Sequence, residues 1–282
     1  MSNTPAEDAA STLALSELPG LDLGTHTATY DDTATILYAL AVGSTADELD
    51  LVYERDLVAL PSRACALGLW AVEAAGRLGA YDPHQSLHAA QRLVMHGELP
   101  AAGSVEMTGR ISSVLDKGKA AIVQVEVTAA EFSAVYDIYL PGAGGWGGDP
   151  GPATVRSELP EPESSTSVTT TPELAALYRL TGDRHPIHID PVVAARNGFD
   201  RPILHGLCTL GIAARVVAEQ IGVHPGSLHE LRARLAVPVM PGDTIEVVSA
   251  RTGDAVQFEA RVGGSAVLRG GYATFRTSAT QS

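Results

Sequence analysis

Apolar and polar positions run through this chain in two rounds of one order: helix, helix, sheet. In the first round Asp31 and Asp32 precede Ala34-Thr35-Ile36-Leu37-Tyr38-Ala39-Leu40, a helix whose start they cap, and Gly43 stops it. After Leu60-Pro61, the positions Ala64, Leu67, Trp70, Ala71 and Ala74 recur at helical spacing, which predicts a small-residue helix lying close against a sheet. Strands are predicted at 86–95, 104–115, 120–129 and 132–140, where Val123, Val125 and Val127 alternate, with a turn at Asp116-Lys117-Gly118-Lys119. In the second round a helix is predicted at 171–180, with Pro172 in its first turn. A long central helix over 202–221 follows the His205-Gly206 turn, and strands are predicted at 228–237, 245–250, 255–261 and 266–275.

Residues 1–25 are small and polar and read as a loosely held arm, while 149–170 have the Pro, Ser, Thr and Glu content of a linker. The expected division is an N-terminal unit at 26–148 and a C-terminal unit at 171–282. The units read as tandem copies: laying Cys65 on Cys208 also lays Leu67 on Leu210, Gly68 on Gly211, Ala71 on Ala214 and Ala75 on Ala218, and Leu37-Tyr38 falls on Leu177-Tyr178 three positions away from that register.

Composition narrows the function classes. The 282 residues include 33 acidic and 19 basic side chains, a net charge of -14, without a concentrated basic patch, which argues against nucleic acid and anionic membrane as partners. Two cysteines suit buried thiols in a reducing compartment. Neither a basic-then-apolar leader nor an apolar run of about 18 residues is present, and the last residues form no recognised targeting tripeptide; the expected location is cytoplasmic.

The chemistry is concentrated between Tyr178 and Gly211. Asp183 and His188 place a carboxylate and an imidazole in a glycine- and proline-bearing loop, next to a helix start at His205-Gly206 whose free N–H groups suit an anion. An acid/base pair beside such a helix start suggests enolate chemistry; the plainer alternative is a tight turn in which Asp183 accepts backbone N–H bonds. In the first copy Gly43 stands for Asp183, Glu48 for His188 and Arg63 for Gly206, so one site per chain is expected, with the first unit supplying walls. Lys117 and Lys119 either face a polyanionic ligand or sit on a solvated hairpin tip. The run Gly142-Ala143-Gly144-Gly145-Trp146-Gly147-Gly148 is neither a Walker loop nor a dinucleotide fingerprint; its glycines allow close backbone approach, and Trp146 either covers a ring or fills a gap.

TGDRHPIHIDP together with PILHGLCTLG resembles the MaoC-like (R)-specific enoyl-CoA hydratases, or hydratase 2, in their double hot-dog form. Tyr178, Thr181, Gly182, Asp183, Pro186, Ile187, His188 and Ala194 match that family's motif, and ILYALAVG, DKGKA and GAGGWGG in the first half are similar to it, so the likeness spans roughly residues 28–276. The resemblance implies an α+β tandem hot-dog fold, two antiparallel sheets each wrapped around a long central helix and joined into one surface. It implies a catalytic pair Asp183 and His188, a Gly206 amide holding the thioester oxygen, and Lys117, Lys119, Gly144, Gly145, Trp146 and Gly147 as walls for coenzyme A. The acyl-CoA thioester is then the substrate, with no separate cofactor or metal, and a homodimer is expected. His185 stands where the family has Asn and is counted with the catalytic set, while Pro141 and Ala90 stand where relatives often have Arg and Glu. Thioester hydrolysis and non-catalytic acyl-thioester binding are the competing readings.

Overall fold

In the computed structural model, residues 13–153 and 159–276 are described. The N-terminal unit runs β1 (Asp22–Tyr30), α1 (Asp32–Ala41), α2 (Leu49–Val52), α3 (Arg63–Leu67), α4 (Leu69–Gly76), β2 (Leu87–Met95), β3 (Gly103–Asp116), β4 (Ala120–Ala129) and β5 (Phe132–Pro141). The C-terminal unit runs β6 (Ser164–Thr169), α5 (Leu174–Tyr178), α6 (Pro191–Arg196), α7 (Gly206–Ile221), β7 (Leu228–Leu235), β8 (Thr244–Thr252), β9 (Ala255–Val262) and β10 (Ser265–Phe275).

All ten strands form one antiparallel sheet in the order β1-β3-β4-β5-β2-β7-β10-β9-β8-β6. Read inward from either edge, the two halves have the same order, which is the repeat expressed as topology. The halves meet where β2 pairs β7, from Ala90 opposite Arg234 to Val94 opposite Glu230. This is the tandem hot-dog fold that the residues imply: a single sheet curled over the helices.

In the C-terminal unit the wrapped helix is α7. From Leu207 to Ala218 every residue but Arg215 is buried, and Gly222 closes the helix in a left-handed conformation. In the N-terminal unit the expected single helix is broken at Gly68 into α3 and α4. The cause is Tyr136 on β5, whose hydroxyl donates to the Cys65 carbonyl at 2.8 Å and lies 2.3 Å from where a Cβ on residue 68 would be. Tyr38 and Tyr178, paired by the repeat, also meet in space with ring centroids 6.1 Å apart. Both cysteines are free and buried.

Two strands depart from expectation. β1 begins inside the stretch read as an arm, and β6 lies inside the stretch read as linker; residues 1–12 of that arm and 154–158 of that linker lie outside the described residues. Both are edge strands that bury no residue fully: β6 is Ser and Thr with one Val, and β1 sets only Leu23, Ala28 and Tyr30, unevenly spaced, against the core. They are held by ladder hydrogen bonds and by hydroxyl pairs, Thr29 with Ser104 at 2.8 Å and Thr169 with Thr244 at 2.9 Å. Among the described residues no helix is long and apolar enough to cross a membrane.

Candidate active site

Gly182 aims the loop that carries Asp183 and His188. After α5 the chain tightens into a 3₁₀ turn and then turns at Gly182 with φ 142° and ψ −42°, a conformation that a residue with a Cβ rarely adopts. Asp183 follows at once. Its Oδ1 accepts the His185 N–H at 3.1 Å, as in the plain turn reading, but its Oδ2 faces His188 Nε2 at 3.9 Å. The two carboxylate oxygens are thereby divided, one for the loop and one for the site.

His188 is buried, and its Nδ1 lies 2.9 Å from the Ile203 carbonyl. A carbonyl only accepts, so Nδ1 carries the proton and Nε2 is left with its lone pair towards Asp183. Burial, opposed by Asp183 and the Ile203 bond, pulls the His188 pKa below its ordinary 6.5 and favours this neutral form. Ile203 N–H returns a bond to the Ile187 carbonyl at 3.4 Å, and Leu204 N–H bonds the Val239 carbonyl at 2.8 Å, so the loop is sewn to the segment that leads into α7.

Helix α7 starts at Gly206 with no side chain capping it. Leu235 of β7 presses on this start: a Cβ on residue 206 would lie 1.7 Å from Leu235 Cδ2. His205, Asp183 and His188 have ligand atoms within 4.8 Å of one another. The two imidazoles, however, are stacked planes, centroids 3.7 Å apart and inclined by 23°, so their nitrogens do not converge on a common coordination point.

These groups open on a cavity of about 820 Å³ with a largely apolar lining drawn from both units. Asp183, His185, His188, Gly206 and Leu235 come from the C-terminal unit, and Leu69, Val72, Tyr81, His88 and Tyr139 from the N-terminal one. His185 lies beside His188, ring centroids 6.2 Å apart; its Nδ1 accepts the Ile187 N–H at 3.3 Å, and burial, followed by His188, lowers its pKa. His88, which the sequence reading passed over, is held near a pKa of about 4 by burial.

The six residues expected to wall coenzyme A do not line the cavity. They belong to a loop built around Asp116, whose carboxylate accepts the N–H groups of Gly145 at 2.7 Å, Gly118 at 2.8 Å, Gly147 at 2.8 Å and Gly148 at 3.3 Å. These bonds, that from Gly145 foremost, hold the Asp116 pKa down to about 2. A Cβ on residue 144 would meet the backbone of Ala120 at 2.5 Å, and one on residue 148 the Trp146 ring at 2.0 Å, while Lys117 Nζ donates to the Pro150 carbonyl. Loop packing thus accounts for Gly144 and for Gly148.

In the N-terminal unit the counterpart of the helix start is closed. Arg63 is buried there, its guanidinium 3.7 Å over the Tyr30 ring and its Nη1 2.5 Å from Thr35 Oγ1. The counterparts of Asp183 and His188 serve as a grip instead: Arg215 of α7 bonds the Gly43 carbonyl at 2.7 Å and Glu48 at 2.5 Å.

Comparison with known proteins finds a family match in each half. Residues 28–138 match the MFE-2 hydratase 2 N-terminal domain, and residues 158–268 match the MaoC like domain. The 3-hydroxyacyl-thioester dehydratase Y of Mycobacterium tuberculosis is 36% identical over 255 residues, 84% of this chain and 87% of that protein. The peroxisomal multifunctional enzyme type 2 of Drosophila melanogaster is 32% identical over 88% of this chain, which spans 46% of its length. Among solved structures, the MaoC-like dehydratase from Phytophthora capsici superposes with a TM-score of 0.84 at 25% identity, covering 96% of this chain and 100% of that one. The expected cytoplasmic location is overturned by relatives that are named peroxisomal, the Drosophila protein and its mouse, Neurospora and yeast counterparts. Cysteines kept as thiols, part of the ground for that expectation, do not distinguish the two compartments.

Proposed function

Since this chain belongs to the MaoC-like dehydratase family, whose hot-dog hydratases include the enoyl-CoA hydratase 2 enzymes, we propose that it adds water reversibly to trans-2-enoyl-CoA to give (3R)-3-hydroxyacyl-CoA. The observation that carries the proposal is the facing pair, Asp183 Oδ2 and His188 Nε2, two acceptors 3.9 Å apart beside the start of α7. One water between them gives a hydrogen to each, which turns an oxygen lone pair towards the substrate.

The water oxygen bonds to Cβ as one O–H bond breaks and its proton passes to Asp183. The π electrons move through Cα towards the thioester oxygen, where the Gly206 N–H meets the developing charge. Asp183 then hands the proton to Cα, and the water has been added without change of oxidation state. A carboxylate, a neutral imidazole and an amide suffice for these steps. His185, in the place of the family's Asn, offers Nε2 as its remaining polar atom for the water or the thioester.

The test is to mix the protein with trans-2-enoyl-CoA, follow loss of the conjugated absorbance, and resolve the product by chiral chromatography. A (3R)-hydroxy thioester with no released thiol is expected; free coenzyme A would establish hydrolysis instead, and binding without turnover would establish a non-catalytic subunit.

For the nucleotide end of the substrate, Lys117, Lys119 and Trp146 with Gly144, Gly145 and Gly147 remain the proposed wall. The support is continuity: β5 carries Tyr139 on the cavity lining and runs directly into the glycine loop. Replacing Lys117 and Lys119 together by Ala should raise KM for the CoA thioester and leave KM unchanged for an N-acetylcysteamine thioester, which lacks the phosphates. Equal effects on both substrates would remove the lysines from the site.

A further inference from the structure

The structure assigns to His205 the task of holding Asp183 and His188 in register with each other, as a positioning residue that itself transfers no proton. This rests on the reading above that those two groups act on the water.

His205 is 1% exposed and touches both partners. Its Nε2 lies 3.2 Å from the Asp183 backbone carbonyl, so Nε2 carries the hydrogen and donates it. Its ring lies flat on His188 at 3.7 Å, and Tyr178 packs against it at 4.8 Å. One side chain therefore fixes the backbone that carries the carboxylate and the plane in which the His188 nitrogens lie.

The ring is not there for its own stability. His205 precedes the first turn of α7 but makes no side-chain cap bond, and its Nδ1 and the Tyr178 hydroxyl are both buried without a hydrogen-bond partner. Unpartnered buried polar atoms are costly, and an apolar ring at 205 would remove the one at Nδ1. What such a ring lacks is the donor to Asp183. Burial, with His188 next, also holds the His205 pKa near 3, so it stays neutral while its neighbour changes charge.

Two variants separate the two contacts. His205→Phe keeps the stacked ring and loses the donor; His205→Gln keeps a donor of similar reach and loses most of the stacking. Both are expected to remain folded by thermal melting. His205→Phe should lower kcat by about 100-fold with KM nearly unchanged, the size of effect a small misplacement produces. In imidazole nitrogen NMR of the substrate-free protein, the His188 titration midpoint should rise in His205→Gln, where water reaches the ring face, and stay in place in His205→Phe. Folded His205→Phe with wild-type kcat would overturn the assignment, as would losses that only track loss of folded protein in both variants. The NMR comparison needs no turnover: an inactive wild-type protein would count against the proposed reaction, and a His188 midpoint unmoved in both folded variants would still overturn the assignment.

Discussion

Asp183→Asn is expected to lower kcat by roughly 1000-fold, within the range lost when a general acid–base is removed, and to leave the melting temperature within a few degrees of wild type. The division of the two oxygens explains why. Oδ1 accepts the His185 N–H, a bond that the Asn carbonyl can also accept, whereas Oδ2 faces His188 Nε2 and in the proposed reaction takes and returns the proton. His188→Gln should behave in the same way.

The pH dependence follows with its sign. His188 must be neutral to accept, and its pKa lies below 6.5, so kcat/KM should hold down to that pH and fall only beneath it. An acid limb at or above 6.5 would contradict the assignment. Stability should fall over a wider range on the same side. Burial, the largest cause in each case, lowers the pKa values of His88, His185, His188 and His205. The unfolded chain therefore binds protons from about 6.5 downward that the folded one refuses, and the melting temperature should drop steadily between neutral pH and pH near 4.

Gly206→Ala is expected to reduce kcat by about 100-fold, the scale of a lost oxyanion donor, with a much smaller effect on melting. The added Cβ collides with the end of the Leu235 side chain, not with backbone, and Leu235 also lines the cavity. The leucine is free to move, but only at the expense of the space beside the helix start or of the helix start itself. Pairing the change with Leu235→Ala removes the colliding atom. The double variant should regain much of the lost rate; a double variant as slow as the single one, with both folded, would show that the glycine serves something other than clearance.

The repeat, the helix α7 and the inner strands were legible because each carries its own apolar period, and Cys65 with Cys208 fixed the alignment of the halves. Asp183 and His188 were legible as a motif. The edge strands β1 and β6 were not, since β6 is almost all Ser and Thr and the apolar residues of β1, Leu23, Ala28 and Tyr30, are too unevenly spaced to read as a stripe. Nor was the break at Gly68, which is imposed by a tyrosine far along the chain. In the glycine loop the composition was legible, but the carboxylate that organises it, Asp116, looked like an ordinary turn residue. His205 was legible only as part of the turn before α7, because its contacts join segments that the sequence separates.

The mirrored strand order has a consequence for descent. Two identical chains meeting at the β2–β7 seam would carry two equal sites, and each substitution would strike both at once. Joined in one chain, the halves are free to diverge. One has kept its helix start open over Gly206, while the other has sealed its own with Arg63 and turned Gly43 and Glu48 into a hold on Arg215. The sealed half still supplies Leu69, Val72 and Tyr81 to the cavity, so the acyl specificity of such an enzyme can evolve in one half of the gene without disturbing the chemistry encoded in the other.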